Sequence, residues 1–190
     1  MKVLASILAG GFCTRFSYPK FLTLYGNRTL IEILIEEASY AFDQVIIVSG
    51  HYHRLLKIYT KVPVIYNRDY PKGMASSIRT TVKFAKEHNF DALCILPSDM
   101  PYINKKMLFL LKEYLYREKV EGVSFWYKDR PSPPAIFSHT LFDELLKLDG
   151  DKGARAVLKN SKSFYIQGYE DYLIDIDTLD NYIDVITPFI

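Results

Sequence analysis

The chain has 190 residues, of which 49% are apolar and 24% charged, and its formal net charge is +2. This length and composition predict one folded domain with a substantial core. So small a net charge, without a cluster of Lys and Arg residues, argues against a nucleic-acid-binding surface. Two cysteines do not make a disulfide framework, and no apolar stretch is long enough for a membrane span. We therefore expect a cytoplasmic protein that binds neither nucleic acid nor membrane.

The first twenty residues carry the most informative pattern. Residues 3–8 form a short apolar run with β-branched members, which is typical of a buried central strand. Gly10 and Gly11 then allow the backbone to approach a ligand closely and to point successive N–H groups at an anion. Arg15 and Lys20 add two positive charges to the same loop. The stretch predicts a cradle for a polyphosphate; the alternative is a glycine turn flanked by two solvated basic side chains.

Strands and helices alternate along most of the chain. Thr29 is expected to cap the first helix, and further apolar runs predict strands at residues 44–48, 62–66, 92–96 and 122–126. The alternation predicts an α/β fold with a mostly parallel, doubly wound central sheet and helices on both faces. In the last third, the prolines of residues 130–134 indicate a rigid connector, and residues 173–178 are expected to form a final strand.

Polar side chains follow several of the predicted strands, where ligands bind in open α/β sheets. Asp99 follows the strand at residues 92–96, and Asp175 and Asp177 lie in the expected final strand. Mg2+ takes one or two carboxylates together with phosphate oxygens and water, so Asp99 with a second aspartate predicts a magnesium site. We favour Asp175 as the second ligand and keep Asp177 as the alternative, since Asp177 with Thr178 could equally cap the last helix.

Several motifs occur in an order that resembles the molybdenum cofactor nucleotidyltransferases, a family that includes cytidylyl and guanylyl branches. They are Leu-Ala-Gly-Gly at 8–11 with Arg15 and Pro19-Lys20, and the stretches at 71–78, 97–101, 150–155 and 175–178. The resemblance spans almost the whole chain and implies a Rossmann-like nucleotidyltransferase fold. It also implies a reaction in which a phosphate monoester attacks the α-phosphorus of a nucleoside triphosphate and pyrophosphate is released with the help of Mg2+.

The resemblance also implies roles for particular residues. Arg15, Lys20 and Asp99 would carry the catalysis, and Asp99 would bind magnesium. The residues implied in nucleotide binding are Leu8, Ala9, Gly10, Gly11, Arg15, Lys20, Asn67, Gly73, Met74, Ser76, Ser77 and Ser98. Acceptor specificity is expected in the last third of the chain, which makes Asp151, Gly153 and Arg155 the candidates for acceptor binding.

Donor and acceptor stay open at this point. The motifs after residue 70 are similar to the cytidylyl branch, so CTP is the expected donor, whereas Gly10-Gly11 is similar to the guanylyl branch and keeps GTP in competition. Molybdopterin is the expected acceptor, with a molybdoenzyme as the recipient of the product; the alternatives are a sugar phosphate, a cobinamide phosphate, or a nucleotide-binding domain without catalysis. We expect one domain over residues 1–190, with residues 1–101 as the nucleotide-binding half and 102–190 as the acceptor-binding half.

Overall fold

The computed structural model describes residues 1–13, 16 and 18–186, apart from the side chains of Leu179 and Ile186. The strands in these residues are β1 (Val3–Ala9), β2 (Leu24–Tyr25), β3 (Arg28–Thr29), β4 (Gln44–Ser49), β5 (Val64–Tyr66), β6 (Ala92–Pro97), β7 (Gly122–Tyr127), β8 (Arg130–Ser138) and β9 (Ser163–Ile166). The α-helices are α1 (Leu30–Ala41), α2 (His53–Tyr59), α3 (Met74–Glu87), α4 (Lys105–Arg117), α5 (Phe142–Leu146), α6 (Arg155–Lys159) and α7 (Leu179–Ile186). Short 3-10 helices occur at Lys20–Leu22, Tyr70–Lys72, His139–Leu141 and Glu170–Tyr172.

The central sheet has seven strands in the order β5-β4-β1-β6-β8-β7-β9, and β2 with β3 makes a separate small hairpin. Neighbouring strands run parallel except at β8, which is antiparallel to both β6 and β7. The prediction of a mostly parallel α/β sheet is confirmed, and β5, whose sequence begins after a proline, lies at an edge as its composition indicated. Both halves of the chain contribute strands to this one sheet.

Helices cover both faces of the sheet, as predicted. One face buries α1 and α4 through residues such as Ile31 and Leu111, and the other buries α3, α5 and α6 through residues such as Ile78 and Leu145. Thr29 caps α1 in a reciprocal arrangement: its hydroxyl accepts from the amide of Glu32, whose carboxylate accepts from the amide of Thr29. None of the helices in the described part of the chain has the length and apolarity that crossing a bilayer requires.

The expected proline connector at residues 130–134 is wrong, because these residues form the first half of β8. Lys128 and Asp129, both with positive φ, make a two-residue turn that joins β7 to β8 as a hairpin. Prolines are tolerated there because β6 pairs only with residues 135–138, so the proline-rich half has a strand on one side alone. A hairpin in place of a crossover connection is also why β8 runs against its neighbours.

The expected final strand at residues 173–178 is also wrong. The chain instead forms the 3-10 helix Glu170–Tyr172 and continues without regular structure to α7. Leu173 and Ile176 are the buried residues of this stretch, and Ile174 between them is exposed. Their spacing of three does not match the alternation of a strand. The segment is held to the turn after β6 by a hydrogen bond from the Ile176 amide to the Asp99 carbonyl oxygen, 2.9 Å.

Candidate active site

The carboxyl edge of the sheet brings three chain segments side by side. Leu8 of β1 is paired with Val48 of β4 on one side and with Pro97 of β6 on the other. Two residues beyond this row, in the segments that follow the three strands, lie Gly10, Gly50 and Asp99. The parallel register therefore places the glycine loop between a second glycine turn and a carboxylate, at the edge where α/β sheets bind ligands. Arg15 lies outside the described residues, so its predicted role stays a prediction.

One side of the glycine loop carries a charged cluster, which we define as Lys20, Asp99 and Asp177. The Nζ atom of Lys20 donates to Oδ1 of Asp177 at 2.6 Å and lies 3.5 Å from Oδ2 of Asp99. The Lys20 side chain is only 12% exposed. Its backbone is fixed because Phe21 and Leu22, the next two residues of the 3-10 helix, are buried in the core. A rigid support thus holds one cation between two carboxylates that come from distant parts of the chain.

The electrostatics of the charged cluster favour a cation. Burial raises the pKa of Asp99, the charges of Asp175 and Asp177 raise it further, and Lys20 opposes the shift. Carboxylate oxygens are hard donors, so Asp99 and Asp177 fit a divalent cation such as Mg2+. Within the described residues, no three His, Cys, Asp or Glu side chains gather as a ready-made metal site. The donor set fits a cation whose remaining ligands are substrate oxygens and water.

The structure brings Asp177, rather than Asp175, into contact with the lysine of this cluster. Asp175 is exposed and acts on Asp99 through its charge. Capping of α7 falls to Thr178 and Asn181, since each backbone amide is bonded to the other residue's side chain at 3.2 Å. The side chain of Thr178 therefore caps α7, a role that the sequence also allowed for Asp177.

The other side of the glycine loop carries a neutral cluster, which we define as Asn67, Ser76 and Ser77. Nδ2 of Asn67 donates to the Ser76 hydroxyl at 2.8 Å and to the Ser77 hydroxyl at 3.1 Å, and all three residues are buried. The Asn67 Oδ1 atom accepts from the Asp69 amide at 3.0 Å. These side chains, predicted to bind the nucleotide, hold the loop after β5 against the start of α3. Leu8 and Ala9, which were also predicted to bind the nucleotide, lie at the carboxyl end of β1, and Ser98 directly follows β6.

Two contacts that the sequence did not reveal shape the glycine loop. A Cβ atom on Gly50 would overlap the Gly10 carbonyl oxygen and would lie 2.5 Å from Cγ of Tyr70. A Cβ atom on Gly10 would lie 3.0 Å from the Ser77 hydroxyl. Tight packing against Ser77 therefore favours glycine at position 10 whichever base is bound. The Ser-Gly pair that ends β4 was the available signal for Gly50, and it indicated only the end of a strand.

Aromatic side chains cover the glycine loop on its outer side, and they too escaped the sequence interpretation. The Phe12 ring lies 5.1 Å from that of Tyr70 and 5.3 Å from that of His51, between ring centroids. The Tyr52 hydroxyl donates to the Phe12 carbonyl oxygen at 3.3 Å. Phe12 remains 44% exposed and Met74, at the start of α3, 54% exposed. Apolar surface is thus presented to solvent beside the backbone of the loop.

The turn at residues 149–153 packs against the start of α3. The Gly150 carbonyl oxygen accepts from the Ala75 amide at 3.1 Å. Gly73 has a φ of 99°, and a Cβ atom there would lie 2.5 Å from both Asp151 Oδ1 and Gly150. A Cβ atom on Gly153 would lie 3.4 Å from the sulfur of Met74. The predicted acceptor residues Asp151 and Gly153 thus contact the segment that was predicted to hold the nucleotide.

Arg155 lies at the same edge, and the structure adds Arg130 to it. Nε of Arg155 donates to the Pro131 carbonyl oxygen at 2.9 Å, which holds the guanidinium beside β8. Burial lowers the pKa of Arg155, and the neighbouring charge of Arg130 lowers it further. Because β8 is antiparallel, its first residue emerges at the carboxyl edge of the other strands. Sequence analysis missed Arg130 because residues 130–134 were assigned to a rigid proline connector and not to a strand that begins at the site.

A mostly parallel sheet with a glycine loop and a cation-bearing carboxylate pair at its carboxyl edge defines a Rossmann-like nucleotidyltransferase class of α/β protein. The sequence model described as the MobA-like NTP transferase domain matches residues 5–164. The chain belongs to this family, and the predicted resemblance to the molybdenum cofactor nucleotidyltransferases is confirmed.

Individual relatives are distant but cover nearly the full length. A protein of Bacillus cereus (strain AH187) named probable molybdenum cofactor guanylyltransferase is 24% identical over 186 residues, 93% of this chain and 92% of that protein. The crystal structure of Rv0371c from Mycobacterium tuberculosis H37Rv superposes with a TM-score of 0.82 at 25% identity, covering 98% and 97% of the two chains. A manganese complex of the same mycobacterial protein gives 0.78 at 24% identity, over 98% and 99%. Molybdopterin-guanine dinucleotide biosynthesis protein A from Archaeoglobus fulgidus gives 0.76 at 18% identity, over 98% of both chains.

Proposed function

We propose that this chain transfers a nucleotidyl group from a nucleoside triphosphate to molybdopterin in a reaction that depends on a divalent cation. The observation that carries the proposal is the position of Lys20 between Asp99 and Asp177, next to a glycine loop in the register of β1 and β6. The names of the B. cereus and A. fulgidus relatives support the acceptor. A molybdoenzyme is the proposed recipient of the product.

Each part of the proposed site has a physical task. The exposed backbone of Gly11 and its neighbours binds phosphate oxygens, and Lys20 neutralises charge on the leaving pyrophosphate. Asp99 and Asp177 would hold Mg2+, which when bound supplies charge neutralisation between the phosphates. A phosphate oxygen of the acceptor forms the new bond to the α-phosphorus, and the bond from that phosphorus to the β-phosphate oxygen breaks. The acceptor phosphate is already ionised at neutral pH, so no general base takes part.

Arg155 and Arg130 support a phosphorylated acceptor. The Arg155 guanidinium is bonded to the Pro131 carbonyl oxygen, next in sequence to Arg130, and an anion bound there would be attracted by both positive charges. Both arginines lie at the carboxyl edge near β7 and β8, whereas the charged cluster lies at the ends of β1 and β6. Asp151 and Gly153, given their contacts with Gly73 and Met74, are proposed to fix the distance between donor and acceptor.

The base of the donor has two candidates. The motifs after residue 70 favour CTP, whereas the relatives named guanylyltransferases favour GTP. Gly10 does not decide between them, because a Cβ atom there would lie only 3.0 Å from the Ser77 hydroxyl, so packing also favours glycine at this position. The comparison with named relatives covers nearly the whole chain, so GTP is the first donor to test.

The test is pyrophosphate release with GTP, CTP, ATP or UTP and Mg2+, with and without molybdopterin. We expect release that requires molybdopterin and prefers GTP or CTP. Asp99→Asn should lower the rate by about a hundredfold or more, because it removes the charge that holds the cation. Asp171→Asn, which changes an exposed aspartate in a 3-10 helix, should leave the rate unchanged.

Other results would contradict the proposal in distinguishable ways. Release that depends on a sugar phosphate or a cobinamide phosphate would replace the acceptor and keep the chemistry. Nucleotide binding without release in any pairing would favour a nucleotide-binding domain without catalysis. Full activity of Asp99→Asn would remove the metal ligands from the proposal.

A further inference from the structure

The ammonium group of Lys20 lies between the two carboxylates that are proposed to hold the divalent cation. This group lies within ion-pair distance of Asp177 Oδ1 and of Asp99 Oδ2, at 2.6 and 3.5 Å. Mg2+ binds carboxylate oxygens at about 2.0–2.1 Å, so a shared ion would lie between these same oxygens. Two cations cannot share that space, because they would overlap and repel each other.

Lys20 cannot leave the charged cluster without another anion to receive it. The side chain is largely buried, and an unpaired ammonium group in such a place is costly. The triphosphate of an incoming nucleotide provides the replacement partner, and it is the same ligand that brings further oxygens to the metal. The departure of Lys20 and the binding of the metal are therefore linked to the arrival of the nucleotide.

The local backbone allows this exchange by movement of the side chain alone. The Lys20 carbonyl oxygen accepts from the Thr23 amide at 3.0 Å, and Phe21 and Leu22 are buried. Beyond this fixed point, a flexible four-carbon stem carries the ammonium group of the lysine. The backbone stays in place while the ammonium group is exchanged between the carboxylates and the phosphates.

We propose that Lys20 is an internal counter-ion that keeps the divalent cation out of the Asp99–Asp177 pair until a nucleotide binds. The exchange makes nucleotide and metal binding cooperative, since each ligand raises the affinity of the other by the same factor. Lys20 also offsets one of the two negative charges of this pair in the free protein. This inference rests on the proposed function, because it takes Asp99 and Asp177 as the metal ligands.

The test measures Mn2+ binding to the full chain without nucleotide, by the enhancement of water-proton relaxation that protein-bound Mn2+ causes. We expect weak binding by the wild type and about tenfold tighter binding by Lys20→Met, within the usual range of coupling between sites. The matched control is Lys112→Met, which removes the same charge from an ion pair with Asp43, 3.7 Å, before β4. It should bind Mn2+ as weakly as the wild type.

A second measurement adds a non-hydrolysable analogue of the preferred triphosphate. The wild type should then gain about tenfold or more in Mn2+ affinity, and Lys20→Met should gain much less because its block is already removed. Lys20→Gln repeats the comparison with a polar side chain in case the methionine variant folds poorly. Asp99→Asn combined with Lys20→Met should lose the tight binding.

The outcomes separate this inference from the proposed function. Equal Mn2+ affinity of the wild type and both Lys20 variants, at a site that Asp99→Asn removes, would overturn the exchange and leave the metal site intact. Mn2+ binding that Asp99→Asn leaves unchanged in every variant would contradict the metal ligands of the proposed function, and the exchange with them.

Discussion

The neutral cluster and the charged cluster lie on opposite faces of the sheet, at the same edge and beside the same glycine loop. In the neutral cluster, Asn67 and the two serines are buried and their side-chain groups are bonded to one another. In the charged cluster, three ionic side chains remain partly exposed, 12% for Lys20, 28% for Asp99 and 38% for Asp177. In the sequence, both clusters consist of polar residues near the ends of predicted strands, and their position did not distinguish one cluster from the other.

This difference indicates that the neutral cluster supports the loop and that the charged cluster takes part in the proposed reaction. Neutral groups whose hydrogen bonds are complete within the protein can fix a loop, but they have little capacity left for a ligand. Charged groups with partial access to solvent can exchange partners when a ligand arrives. Substitutions in the neutral cluster and its glycine contacts should therefore change stability first, and substitutions among the charged residues should change kinetics or metal binding first.

The largest effect on stability is expected at Gly50. Gly50→Ala should lower the free energy of unfolding by about 3 kcal/mol, because the new methyl group overlaps the Gly10 carbonyl oxygen and the Tyr70 side chain. Gly11→Ala is the matched control, since a Cβ atom there has nothing within 4 Å; it should cost less than about 0.5 kcal/mol. Urea denaturation of both variants checks this. Equal stabilities would show that the loop yields and is not a fixed support.

A smaller loss of stability is expected at Asn67. Asn67→Ala removes the two hydrogen bonds that the side-chain amide donates to the serine hydroxyls and the one that it accepts from the Asp69 amide. The free energy of unfolding should fall by about 2 kcal/mol. The control Asn160→Ala changes an exposed asparagine and should cost less than about 0.5 kcal/mol. Nucleotide affinity, measured well below the melting temperature, should stay within about twofold. A large loss of nucleotide affinity at unchanged stability would instead make Asn67 a nucleotide ligand and break the comparison.

The smallest effect is expected at Arg130. Arg130→Gln should raise the KM for the acceptor about fivefold, as for the loss of one exposed charge contact, with the KM for the triphosphate and the stability unchanged. Lys128→Gln is the control because Lys128 lies in the adjoining turn with its ammonium over the Tyr127 ring. Pyrophosphate release with one substrate varied at a time measures both constants. An unchanged acceptor KM would remove Arg130 from the acceptor site.

Much of the fold follows from short-range patterns. The sequence predicts β1, β4 and β6 from their apolar runs and the start of α1 from Thr29. Each of these features depends on residues close together in the sequence. The proline-rich start of β8 was misassigned because tolerance of proline depends on which side of a strand has a partner. The segment at residues 173–178 was misassigned because the burial of Leu173 and Ile176 depends on residues far away in the sequence, such as Leu30.

The sequence by itself determined the alternation of strands and helices, the glycine loop, and the position of Asp99 after a central strand. Those features depend on local periodicity and on the rule that parallel strands present their carboxyl ends together. Only the tertiary structure decided that Lys20 meets Asp177, 157 residues away, and that Arg155 lies beside Arg130. It also assigned the Asn67 side chain to two serine hydroxyls. Such pairings depend on how the elements pack in three dimensions, since the energy of a charge or a hydrogen bond is set by the distance to its partner.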